Sequence, residues 1–188
     1  MKNYITLSIL FFSLQLFSQE TIETKFAIPD GYEREIINEF HQWIINQPLK
    51  DDNKVFYSNG QEKINHDIWA AVFDYELGTH KYHQCADAAI YLNAMFKYEN
   101  GYMNKLNYSF TNGDKTSYQD WLNGANYRLN PKNQNEVFKT FKSPREDNLN
   151  TFYTWLKKLW TWAGTLSLPY DTNEVEIFEM EPGDIFTQ

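Results

Sequence analysis

The 188-residue chain has one cysteine, Cys85, and this scarcity excludes an intramolecular disulfide framework. Positive charge is also short: 17 Lys and Arg stand against 25 Asp and Glu, for a formal net charge of -8. A phosphate-binding face needs clustered cations, so nucleic acid is excluded as a partner class. The acidic residues are themselves scattered and form no charged tail. Histidine is limited to four. His80 and His83 lie near Cys85 in sequence, but a structural zinc site wants four ligands and a catalytic one three plus water, and His41 and His66 are distant. No metal and no cofactor is implied. Beyond the first 17 residues no apolar run is long enough to span a bilayer, and there are no internal repeats or low-complexity tracts.

What is present begins with a hydrophobic content of 42% and an aromatic content of 18%, enough for one sizeable core. Met1-Lys2-Asn3 is a short, weakly positive start, Tyr4 to Phe17 is apolar, and Ser18-Gln19-Glu20 breaks the run. This pattern predicts a signal peptide over residues 1–18, export to the periplasm or medium, and a single globular domain over residues 19–188. No cysteine follows the apolar run to take a lipid anchor. Export changes the meaning of Cys85, because a leftover thiol in an oxidising compartment is buried, paired with another chain, or reactive.

Periodicity lays out the elements. Ile36, Ile37, Phe40, Trp43 and Ile44 recur at three- and four-residue steps and predict a helix from about Tyr32 to Asn46, after an extended lead-in from Thr21 to Asp30. Val55-Phe56-Tyr57 with Ser58-Asn59-Gly60 predicts a short strand and a tight turn. Ile68 to Leu77 is rich in aromatic and β-favouring residues and reads as a central strand. Tyr82 to Tyr98 predicts the helix that carries Cys85 near its start, closed by Asn100-Gly101. Leu106 to Phe110 reads as a strand, Ser117 to Leu122 as a short capped helix, and Ala125 to Asp147 as a long surface connection. Leu149 to Trp162 predicts a third helix, with Phe152, Trp155, Leu156, Leu159 and Trp160 on one side. Val175 to Phe178 and the Glu181 to Phe186 turn suggest closing strands.

Chemistry centres on Cys85. A thiol at a helix N-terminus meets unpaired amides and the positive end of the helix dipole, which stabilise a thiolate, and the same amides can receive an oxyanion. Cysteine is equally a small buried hydrophobe that packs well beside Ala86, Ala88 and Ala89, so nucleophile and packing residue both stand as readings. Gln84 and Asp87 flank the thiol. Trp121 and Trp162 are the aromatic candidates for lining a cleft that holds a glycan or peptide, with core packing as the alternative.

Taken together, Gln84-Cys85-Ala86-Asp87-Ala88, Phe110-Thr111-Asn112-Gly113, Tyr118-Gln119-Asp120-Trp121 with Gly124, Trp162-Ala163-Gly164-Thr165-Leu166-Ser167-Leu168 and Pro182-Gly183-Asp184-Ile185-Phe186 form a spaced set. From about Phe26 onward this set resembles the exported bacterial family known as domain of unknown function 4846. A helix-opening cysteine followed much later by a Pro-Gly-Asp turn also resembles, more remotely, the NlpC-type cell-wall peptidases and the papain-like group. That second resemblance implies an α+β, papain-like domain, with the cysteine helix packed on a small, mainly antiparallel sheet. It further implies Cys85 as nucleophile, backbone amides as oxyanion donors, a histidine base downstream of Gly183-Asp184, and amide bonds, as in cell-wall peptides, as substrate. His83, Tyr91 and Asn93 depart from the family pattern, and Gln188 comes before the expected Gly-His segment. A shortened sequence, a protein without activity and a family whose cysteine is not catalytic are the three explanations. A stop inside an apolar strand favours the first. The alternative function is an exported, non-catalytic module that binds glycan or peptide.

Overall fold

The computed structural model describes residues 19–57, 59–65, 68–75, 83–133 and 136–187. The expected signal segment, His66, His80 and the end of the expected 68–77 strand lie outside the described residues. Among the described residues five α-helices are interleaved with two antiparallel hairpins: α1 (Ile22–Lys25), α2 (Glu39–Ile45), α3 (Cys85–Glu99), β1 (Asn107–Ser109), β2 (Lys115–Ser117), α4 (Tyr118–Leu122), β3 (Ala125–Leu129), β4 (Val137–Phe141) and α5 (Leu149–Trp160). Among the described residues no helix is long and apolar enough to cross a membrane.

α3 starts where Asp87 Oδ2 accepts the Gln84 N–H at 2.8 Å, and stops where Asn100 turns the chain into Gly101 at φ 73°. Between them Ala86, Ile90 and Ala94 form a buried stripe of small and branched residues. α5 is opened by Asn148, whose side chain accepts the Thr151 N–H at 2.9 Å, and it buries Phe152, Trp155, Leu156, Leu159 and Trp160. The two helices share a core with Tyr108, Phe110, Tyr118 and Tyr127. Aromatic edges join it: Tyr118 meets Phe152 edge-on at 5.5 Å, and Trp155 Nε1–H donates to Thr116 Oγ1 at 3.0 Å.

The expected mix of helices with antiparallel strands is present, but as two separate two-stranded sheets, β1–β2 and β3–β4. Four local expectations are corrected. The helix expected from Tyr32 begins only at Glu39, because Asn38 accepts the His41 N–H at 2.8 Å and starts the first turn there; Tyr32, Ile36 and Ile37 are exposed. The expected surface connection from Ala125 holds the β3–β4 hairpin, with Tyr127 opposite Lys139. Residues 68–75 give one bridge, Phe73 to Leu49, in place of a central strand. Near the C-terminus, Ile177–Glu179 is a 3-10 turn rather than a strand. The small hairpin expected at Val55 to Tyr57 is present in minimal form, with Phe56 bridging Glu62.

Candidate functional site

Cys85 is the first residue of α3 and its thiol is exposed. Gln84, the capping residue before it, is also exposed, whereas Asp87 one turn in is only 1% exposed. Burial of Asp87 follows from the capping geometry, since the bond to Gln84 N pulls the carboxylate back over the helix end. That burial pushes the Asp87 carboxyl above its ordinary value, while the Gln84 N–H and the nearby His83 pull it down. Asp87 Oδ1 has no hydrogen-bond partner among the described residues. His83 packs against the Trp160 indole, with ring centroids 4.3 Å apart, which ties the chain entering α3 to the end of α5.

The opposite wall comes from the turn after β1 and the segment after α5. Thr111 N–H donates to the Trp162 carbonyl at 2.9 Å, which joins them. Ser167 folds the second segment back on itself: its hydroxyl accepts Gly164 N–H at 3.2 Å and donates to Gly164 O at 2.8 Å. Gly164 faces the cysteine helix, so that a Cβ there would stand 3.9 Å from Thr111 Oγ1 and 4.0 Å from Gln84 Oε1. Three sequence-distant motifs therefore meet at one helix mouth. The arrangement brings together an exposed sulfur, the backbone amides of a helix start, a carboxamide and a buried carboxylate.

The expected site residues distribute unevenly. Gln84, Cys85 and Asp87 share the mouth. Trp162 joins them through the Thr111 bond, and its ring lies edge-on to Phe110 at 5.3 Å under the Lys158 ammonium. Trp121 sits in the core on α4, with the Arg145 guanidinium 3.8 Å over its ring. Asp184 is exposed in the turn at Gly183, where its Oδ2 accepts the Glu181 N–H at 2.8 Å. That turn packs on α2: Gly183 lies against Phe40, and Asn38 Nδ2 donates to Pro182 O at 3.3 Å.

Asp184 also lines an open groove of about 900 Å³, together with Ala89, Ile90 and Asn93 of α3 and Tyr108 of β1. Cys85 stands four residues before Ala89 and eight before Asn93 on α3, but neither it nor Gln84 lines the groove. Tyr108 O–H donates to Asn93 Oδ1 at 2.8 Å and fixes the groove floor. Thr111, Gly164 and Ser167 were absent from the sequence-based site. Their only prior signal was membership of the spaced motif set. Among the described residues no three His, Cys, Asp or Glu side chains gather as a metal cage.

No curated protein and no solved structure matches this chain. One family model, described as domain of unknown function (4846), matches residues 22–188, which include the cysteine helix, the Thr111 turn, the Gly164 segment and the Gly183 turn. The chain belongs to that family.

Proposed function

We propose that this protein is an exported cysteine hydrolase of papain-like type that cleaves amide bonds, cell-wall peptides being its substrate class. The observation that carries the reading is the exposure of Cys85. A cysteine kept for packing belongs among Ala86 and Ile90 on the buried stripe, yet this thiol faces outward from the first turn of a helix whose other face is core. Export rests on the apolar run from Tyr4 to Phe17 and its break at Ser18.

In the proposed reaction the Cys85 sulfur attacks the amide carbonyl carbon, and the helix-start amides receive the developing oxyanion. The C–N bond then breaks, the thiol proton leaves with the amine, and a thioester remains on Cys85. Water adds to that thioester, releasing a carboxylic acid and restoring the thiol. The Gln84 carboxamide, beside Gly164 and Thr111, supplies a polar group at the mouth for orienting the substrate.

The test is an intact-mass time course with an activated acyl ester, run beside turnover of cell-wall peptides by the wild type, Cys85→Ser and Cys85→Ala. A hydroxylamine-labile adduct on Cys85, with turnover lost by more than about a thousandfold in both variants, is the expected outcome. Undiminished turnover in Cys85→Ala overturns the mechanism.

A further inference from the structure

The β3–β4 hairpin has two unlike faces. Ala125 and Tyr127 are buried and Val137 packs on the same core, so these alternate positions form the inner face. The outer face carries Arg128 and, directly opposite it in the register, Phe138, followed on β4 by Thr140. All three are exposed, Phe138 by 49%. Lys142 continues that alternation one step past the strand, where its N–H still donates to Gly124 O at 2.9 Å. Leu129 and Phe141, 43% and 58% exposed, add apolar area along the margins.

Charge on the hairpin is the reverse of that elsewhere. Residues 125–142 hold four Lys and Arg against one Glu, whereas the remainder of the chain holds 13 against 24. Lys139 is paired with Asp120, but the side chains of Arg128, Lys132 and Lys142 have no ion pair or hydrogen bond among the described residues. A further cation converges on them from another element. Lys158 of α5, half-buried with its ammonium 4.2 Å over the Trp162 ring, holds its proton less tightly because of burial and of Arg128. The two charges therefore lie close enough to oppose each other.

Free cations interleaved with exposed apolar side chains fit an anionic lipid–water interface. Apolar groups enter among the headgroups there, while guanidinium and ammonium groups stay at the phosphates. A soluble anion would engage the cations and leave Phe138 in water. Screening at physiological salt acts over about 8 Å, so a local patch can meet a charged surface although the chain as a whole is acidic. We infer that the outer face of the β3–β4 hairpin docks on an anionic phospholipid surface, with Phe138 in the headgroup layer and Arg128, Lys132 and Lys142 on lipid phosphates. This docking goes beyond the proposed hydrolase and needs no chemistry at Cys85.

The experiment uses the full chain carrying Cys85→Ala and Thr140→Cys, labelled at residue 140 with an environment-sensitive fluorophore. The label reads this face and not the apolar residues 1–18. Vesicles of phosphatidylcholine and phosphatidylglycerol in equal parts are titrated beside vesicles of phosphatidylcholine alone. A blue shift with the anionic vesicles, none with the neutral ones, and its reversal at about 0.5 M NaCl are expected. The triple variant Arg128→Gln, Lys132→Gln, Lys142→Gln should raise the lipid concentration at half-signal about a hundredfold, since each cation acts separately at the charged surface. Phe138→Ser should raise it about tenfold and leave the dependence on salt in place. Both variants alter exposed side chains only. An unmoved label with anionic vesicles, equal shifts with both lipids, or an unchanged midpoint in either variant overturns the inference. A label that responds to poly-glutamate and not to vesicles assigns the face to an acidic polypeptide and overturns it equally.

Discussion

Replacing Gly124 with alanine is the sharpest test of how the hairpin region is assembled. Gly124 links α4 to β3 at φ 97°, a conformation that costs a non-glycine residue about 1–2 kcal/mol. Its α-carbon is also pressed against the end of β4. A Cβ there would lie 2.2 Å from Lys142 O, 2.8 Å from Lys142 C and 2.8 Å from Ser143 O, all backbone atoms that no rotamer change can move. Relieving the overlap means shifting the strand end, at about 1–3 kcal/mol for forced overpacking. It also loosens the Lys142 N–H bond to Gly124 O, now 2.9 Å, worth about 1 kcal/mol. The expected loss is about 3–6 kcal/mol, or roughly 6–24 °C in Tm for a chain of this size. Gly101→Ala is the control, because it has φ 73° with nothing within 4 Å of the new methyl, and it should lose only about 1–2 kcal/mol. Thermal and urea unfolding of the purified full chain would read both. Equal losses in the two variants would refute the argument, since only the backbone contact separates them.

Two further predictions concern the core and the helix mouth. Asp87→Asn should raise stability relative to wild type progressively as pH rises above about 4. The buried carboxyl's folded-state value is raised, so the native state holds its proton more tightly than the unfolded chain and loses that advantage as pH rises. A gap that is constant or shrinks over that range, read by thermal unfolding at each pH, would count against the burial of Asp87. Trp155→Phe should cost about 2–4 kcal/mol, because it leaves a cavity at a fully buried site and removes the indole N–H that donates to Thr116 Oγ1 at 3.0 Å. A urea midpoint within error of wild type would show that the indole N–H and its packing are dispensable.

The parts of the fold that could be read from sequence are those where one local signal coincides with one buried face. α5 combines an Asn148 cap with apolar residues at helical steps, and all of them are buried. α4 has Ser117 accepting the Asp120 N–H, and α3 has its Gly101 stop, so the bounds of α4 and the C-terminal end of α3 follow locally, whereas the α3 start expected at Tyr82 falls at Cys85, where Asp87 caps the Gln84 N–H. The misreadings share a cause of the opposite kind. Ile36 and Ile37 have helical spacing but no core to face, so the periodicity there carries no burial and the helix waits for Asn38. In β4 the apolar Phe138 and Phe141 are both exposed, and only Ala125 and Tyr127 of β3 are buried, which leaves too little alternation to announce a hairpin. At the site, Cys85 at the helix start is written in the local sequence. The approach of Thr111 and Gly164 to Gln84 is written only in the packing of α5, β1 and α3.

That packing makes the mouth a product of the core rather than of surface loops. Thr111 N–H holds Trp162 O, the Trp162 ring meets buried Phe110, and His83 rests on Trp160, so each wall around the thiol is tied to α5. Asp87 shows what this costs. One carboxylate oxygen suffices to cap Gln84, and an uncharged acceptor would do so without burying a charge. The second oxygen lies buried without a hydrogen-bond partner among the described residues, which opposes stability, while the nearby His83 offsets part of that cost. Helix capping alone does not account for a carboxylate in that place. Under the proposed hydrolase, an acid group near His83 in the first turn of the Cys85 helix has a use in proton movement, and the stability Asp87 withholds would belong to that proposal.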